Sequence, residues 1–136
     1  MVNIAIVGSR DFNNYEYLKF ELLKYINKRL DSTVVPGEPY RRVDLGINIV
    51  SGGARGADTL AEKFANEFGF KTIIFKPDWN LYGRSAGFIR NRKIVENCDI
   101  LFAFQINKSK GTQHSINLAK ELGKEVYVFE IEELHR

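Results

Sequence analysis

Five short apolar runs punctuate the chain, at residues 2–7, 47–50, 71–75, 100–104 and 125–129, each bounded by turn or polar residues. Runs this short and this rich in Val, Ile and Phe predict strands. Their nearly unbroken apolar character predicts burial on both faces. Between them the hydrophobic pattern takes on a helical period. Tyr15, Leu18, Leu22, Ile26 and Leu30 recur three or four apart, with Lys19, Glu21, Lys24 and Lys28 on the opposite side. Ala57, Leu60, Ala61, Phe64, Ala65 and Phe68 form a second stripe, which Gly69 stops. A third helix is expected over residues 85–97 and a fourth over residues 112–122, the latter ended by Gly123.

Strands alternating with helices predict an α/β protein of Rossmann-like type. The expected core is an open, mostly parallel five-stranded sheet with right-handed crossovers and helices on both faces. A length of 136 residues fits one domain, spanning residues 1–136. Residues 32–46, with Pro36, Gly37, Pro39, Arg41 and Arg42, exceed the roughly two to six residues usual for such a connection. They read as a surface insertion, with a lid or an oligomer arm as the alternative.

Composition adds little to this picture and excludes more. Hydrophobic residues at 44% and charged residues at 27% describe an ordinary globular chain. The single cysteine, Cys98, excludes an internal disulfide and a cysteine-based metal cluster. His114 and His135 lack metal-ligand spacing, so no metal is expected. The net charge of +3 neither demands nor excludes nucleic acid. The first apolar run has no basic flank and ends at Gly8, and no later run approaches a membrane span. We therefore expect a soluble, cytoplasmic protein with no leader and no membrane partner.

Ligands of open parallel sheets bind beyond the carboxyl ends of the strands. Here those ends carry Gly8-Ser9-Arg10-Asp11, then Ser51-Gly52-Gly53-Ala54-Arg55-Gly56-Ala57-Asp58. Next come Pro77-Asp78-Trp79, Tyr82-Gly83-Arg84 and Ala86-Gly87, and finally Asn107-Lys108-Ser109-Lys110-Gly111-Thr112. So many glycine, hydroxyl and basic residues at one edge exceed what chain turning needs. Glycine lets backbone N–H groups approach an anion, and a helix beginning there adds its positive end. The N–H groups of Gly52-Gly53 and Gly111-Thr112 are thus predicted to form an anion site, with a plain N-cap as the alternative for Thr112. Arg10, Arg55, Arg84, Arg90 and Asn91 are candidate ligand contacts, whereas Arg92 and Lys93 fit a solvated face. Trp79 is a candidate to stack on a base, with burial in the core as its alternative. Neither a Gly-x-x-x-x-Gly-Lys-Ser/Thr loop nor a Gly-x-Ser-x-Gly elbow occurs. Residues 51–56 approximate a dinucleotide fingerprint that lacks its first glycine.

The motifs at residues 8–12, 51–58, 77–79, 83–91, 99–104 and 111–112, in that order along nearly the whole chain, resemble the YspA/YpsA-related branch of the SLOG superfamily. That superfamily also holds the cytokinin-activating LOG phosphoribohydrolases and DNA-processing protein A. The resemblance implies a Rossmann-like domain that binds nucleotide-derived ligands, in nucleotide-sensing or phage-conflict settings. Gly8-Ser9-Arg10 and Ser51-Gly52-Gly53 would line the pocket, with Asp58 and Asp78 nearby. Gly111-Thr112 would hold phosphate or ribose, and Arg90 would stand where LOG enzymes place an active-site arginine. One position departs. The LOG motif Gly-Gly-x-Gly-Thr-x-x-Glu ends in a glutamate that assists N-glycosidic cleavage, and here Ser115 takes its place. Serine supplies no carboxylate, which leaves Asp58, Asp78 or Glu62 to substitute. The expected function is therefore binding of a nucleotide or derivative, as a sensor would, with no cofactor required. N-glycosidase or phosphoribohydrolase activity and single-stranded nucleic-acid binding are the alternatives, and a homo-oligomer is compatible with all three.

Overall fold

The computed structural model describes residues 2–29 and 46–131. Five strands, β1 (Val2–Gly8), β2 (Ile47–Ser51), β3 (Lys71–Ile74), β4 (Ile100–Ile106) and β5 (Glu125–Ile131), lie in the order β3-β2-β1-β4-β5. Every neighbouring pair is parallel. Each apolar run is a strand, with boundaries within two residues of those expected. The long helices are α1 (Tyr15–Arg29), α2 (Ala57–Phe68), α4 (Ala86–Glu96) and α5 (Lys110–Glu121). A short helix, α3 (Trp79–Tyr82), and a 3-10 turn (Gly83–Ser85) precede α4 and were not anticipated. Asp78 makes α3: its Oδ1 accepts the Leu81 N–H at 3.1 Å, capping the first turn. The insertion read at residues 32–46 lies, apart from Gly46, outside the described residues.

Strand periodicity explains the two-sided burial. Ile4 and Ile6 of β1 and Ile100, Phe102 and Phe104 of β4 face α1 and α2 in one core. Ala5 and Val7 of β1 and Leu101 and Ala103 of β4 face α4 and α5 in the other. A strand buried on both sides cannot alternate apolar with polar, so the runs of β1, β2 and β4 are nearly unbroken. The edge strands β3 and β5 depart from the expected two-sided burial, with Lys71, Thr72, Ile74, Tyr127 and Val128 exposed. Phe104 stacks on Phe12 and on Phe129, with ring centroids 5.1 and 4.8 Å away. Fully buried side chains such as Phe64, Phe68, Leu18 and Leu22 each stabilise the fold by about 1.5–3 kcal/mol. One polar position differs from its expected place. Lys19, assigned by period to the solvent side, buries its stem beside Tyr15 and reaches Glu67 of α2 at 3.3 Å. Tyr15 donates to the same carboxylate at 2.5 Å, so one glutamate ties α1 to α2.

Candidate functional site

The chain builds outward from β1 to β2 and β3, then returns across β1 to β4 and β5. The reversal lies between β1 and β4, where such sheets open a crevice at the carboxyl edge. A cavity of about 510 Å³ occupies that place, within the range of small-molecule sites. Ser9 closes its floor. The Ser9 N–H donates to the Phe104 carbonyl at 3.0 Å, and Ser9 Oγ accepts the Ile106 N–H at 2.8 Å. The Ser9 hydroxyl also donates to the Ile106 carbonyl at 3.2 Å, so this side chain stitches β1 to β4. Gly56 starts α2 at φ 81°, and a Cβ there would strike the Ser9 carbonyl and the Arg10 backbone. Only glycine brings α2 this close to the β1 turn.

A polar bridge forms one wall. Arg90 Nη1 donates to the Gly52 carbonyl at 2.9 Å, and its Nε donates to Asn91 Oδ1 at 3.0 Å. Asn91 Nδ2 in turn donates to the Gly111 carbonyl at 3.3 Å. The end of β2, the body of α4 and the start of α5 are thus linked through two adjacent side chains. Asp58 is buried behind them, with Oδ2 3.9 Å from Arg90 Nη1 and accepting the Ala54 N–H at 3.2 Å. Burial pushes the Asp58 carboxyl up to about 6, against the opposing pull of Arg90 and of the Ala54 and Gly52 N–H groups. Burial likewise lowers the Arg90 guanidinium; Asp58 resists this and the charge of Arg10 adds to it.

This geometry corrects half of the expected anion site. The Gly52 and Ala54 N–H groups serve Asp58, and the Gly53 N–H donates to Ser51 Oγ at 3.3 Å. The Gly52 carbonyl faces Arg90. The chain's own carboxylate therefore occupies the turn where a ligand anion was expected. Ser51, Gly52 and Gly53 shape the wall without lining the cavity, and Asp78 is spent on the cap of α3. At the other half, α5 begins at Lys110 with Ser109 at the N-cap, earlier than the sequence pattern indicated. Ser109 Oγ donates to Thr112 Oγ1 at 2.7 Å and caps no backbone N–H. The positive end of α5 thus stands uncapped by a side chain beside the cavity.

Gly8, Ser9, Arg10, Arg55, Asp58, Trp79, Arg84, Arg90, Asn91, Gly111 and Thr112 line the cavity together. Arg10, Arg55 and Arg84 are exposed, whereas Arg90 is partly buried. Trp79 is 53% exposed, a rim residue and not a core one. Asp11, Asn107 and Ser109, which the sequence set at these strand ends without singling them out as contacts, also line the cavity, as does Phe88, which was not anticipated. Phe88 is half exposed and meets His114 edge-on at 4.8 Å; a lone phenylalanine in a basic stretch gives no sign of this. Asn107 and Lys108 adopt φ of 53° and 49°, left-handed values without a glycine to announce them. Ser115 lines the cavity and donates to the Gly111 carbonyl at 3.3 Å. Among the described residues no group of three or more His, Cys, Asp or Glu side chains could hold a metal ion. No described helix is long and apolar enough to cross a membrane.

Known proteins are similar to this chain in sequence or in fold. The chain is 35% identical over 94 residues to the Gene 61 protein of Mycobacterium phage D29, covering 65% of this chain and 75% of that protein. Its fold is similar to that of DNA processing protein A from Helicobacter pylori, a protein with a single-stranded DNA binding mode. The TM-score is 0.64 at 22% identity, over 93% of this chain and 64% of that one. The same protein from Streptococcus pneumoniae aligns with a TM-score of 0.64 at 20% identity, over 94% of this chain and 50% of that one. The chain thus spans less than two thirds of either solved structure, and the likeness establishes the Rossmann-like fold. In sequence, residues 2–82, more than half the chain, match a defined family and carry the β1 turn, the β2 turn and the Asp78-Trp79 motif. The chain belongs to the YspA, cpYpsA-related SLOG family.

Proposed function

We propose that the cavity binds a nucleotide or nucleotide-derived ligand, and that it holds this ligand without rapid cleavage. The observation that carries the reading is the convergence of four arginines and the uncapped start of α5 on one cavity at the switch point. An anionic group fits against Arg90, Gly111 and Thr112, and a base fits the exposed faces of Trp79 and Phe88 at the rim. Cleavage of an N-glycosidic bond needs a carboxylate free to act. Ser115 offers a hydroxyl already bonded to Gly111. Asp58 is engaged by backbone N–H groups and Arg90. Equilibrium dialysis with AMP, paired with a free-base assay, tests both halves of the proposal. Saturable binding with turnover well below about 1 per second supports it. Absence of saturable binding contradicts the site, and turnover at ordinary enzymatic rates contradicts the non-catalytic half and turns attention to Asp58.

A second reading, binding of single-stranded nucleic acid, is supported by the fold's likeness to a DNA-binding protein and by the exposed Trp79 and Phe88. An oligothymidylate bound more tightly than AMP, with affinity falling steeply as salt rises, would favour it.

A further inference from the structure

We infer that the ligand carries at least two phosphoryl groups, one against Arg90 and the first turn of α5, and one at the mouth among Arg10, Arg55 and Arg84. This rests on the nucleotide reading above and narrows it. Four guanidinium groups line the cavity against two carboxylates, Asp11 and Asp58. Asp58 is already committed to Arg90 and to the β2 turn. Among the described residues, Arg10, Arg55 and Arg84 enter no ion pair with any Asp or Glu. They come from three separate connections, after β1, after β2 and between α3 and α4. Solvent could hold each of them apart, yet all three border the same cavity as Arg90. Like charges gathered this way repel, and an anion between them offsets the repulsion.

Spacing argues for two anions instead of one. The ends of β2 and β4 lie two strand intervals apart, roughly 10 Å, with β1 between them. A single phosphate seated at the start of α5, after β4, leaves Arg55, after β2, and Arg84 on the same cavity lining with no carboxylate paired to either among the described residues. A second phosphoryl group answers those forks, which engage phosphate oxygens in pairs. An internal diphosphate linking two nucleosides and a terminal diphosphate satisfy the same geometry.

Titration calorimetry of the full chain with AMP, ADP and ADP-ribose tests this at one salt concentration. ADP or ADP-ribose is expected to bind at least about tenfold more tightly than AMP, and whichever gains more tells a terminal from an internal diphosphate. The Arg55→Gln, Arg84→Gln double variant is expected to bring the two affinities within about threefold of AMP. These side chains are exposed and, among the described residues, enter no ion pair, and a thermal melt checks that the variant folds as the parent does. AMP binding as tightly as ADP and ADP-ribose overturns the inference and leaves the nucleotide reading standing. No binding of any of the three overturns both. A tighter diphosphate whose advantage survives the double variant also overturns the inference, because the mouth arginines would then not be its seat.

Discussion

Asp58 is a carboxylate held away from water, and this sets a pH dependence. Its folded value of about 6 stands above the ordinary 3.8, so the native state binds the proton more tightly than the unfolded chain does. The contribution to stability is full below about pH 4 and is lost as pH rises through 6, by up to about 3 kcal/mol. Urea unfolding of the parent and of Asp58→Asn between pH 4 and pH 8 measures it. The parent's stability relative to the variant is expected to fall from pH 4 to 6 and then level off; a constant or rising difference contradicts the burial account. The two arginines beside it differ from one another. Sequence spacing treats Arg10 and Arg90 alike, as ligand contacts flanking glycine turns. In the fold, Arg90 also braces the Gly52 carbonyl and Asn91, and Arg10 is exposed. Arg90→Ala should lower folding stability by about 1.5–3 kcal/mol. Arg10→Ala should leave it within about 0.5 kcal/mol while weakening nucleotide binding. Equal losses of stability in the two variants would show that the brace carries no energy.

At the level of elements, α2 is placed by its N-cap residue. Gly56 combines a left-handed φ with a backbone contact to the β1 turn, and backbone cannot give way as a flexible side chain can. Gly56→Ala is expected to destabilise the protein by more than about 2 kcal/mol in chemical unfolding; a neutral result would mean that α2 shifts freely along the sheet. The central strands were legible as nearly unbroken apolar runs because both faces are buried, as with Ile4–Ile6 and Ala5–Val7 of β1, and the long helices because one buried face imposes a period. Helix α3 was not, because four residues cannot display a period and its cap, Asp78, read equally well as a ligand contact. The start of α5 was read late for a related reason: Lys110 and Gly111 look like loop residues until Ser109 is seen at the N-cap. The β2 turn was read in part. Glycines announce that N–H groups converge there, but not that Asp58, from the same motif, supplies the anion.

For the whole molecule, the sequence placed chemistry at one sheet edge, and the strand order β3-β2-β1-β4-β5 turned that edge into a site. Strand order is set by which faces the crossovers cover, so the β1/β4 crevice emerges only from the assembled fold. A lone aromatic in a basic stretch, such as Phe88, had no local signal to betray it. The central claim is that this crevice is where a nucleotide binds. Amide chemical-shift mapping during an AMP titration tests it most directly, because it reports location independently of affinity. The account predicts saturable shifts concentrated at Ser9, Arg10, Gly111 and Thr112, together with the Trp79 indole. Shifts confined to α1 and β5, or none at millimolar AMP, would contradict it.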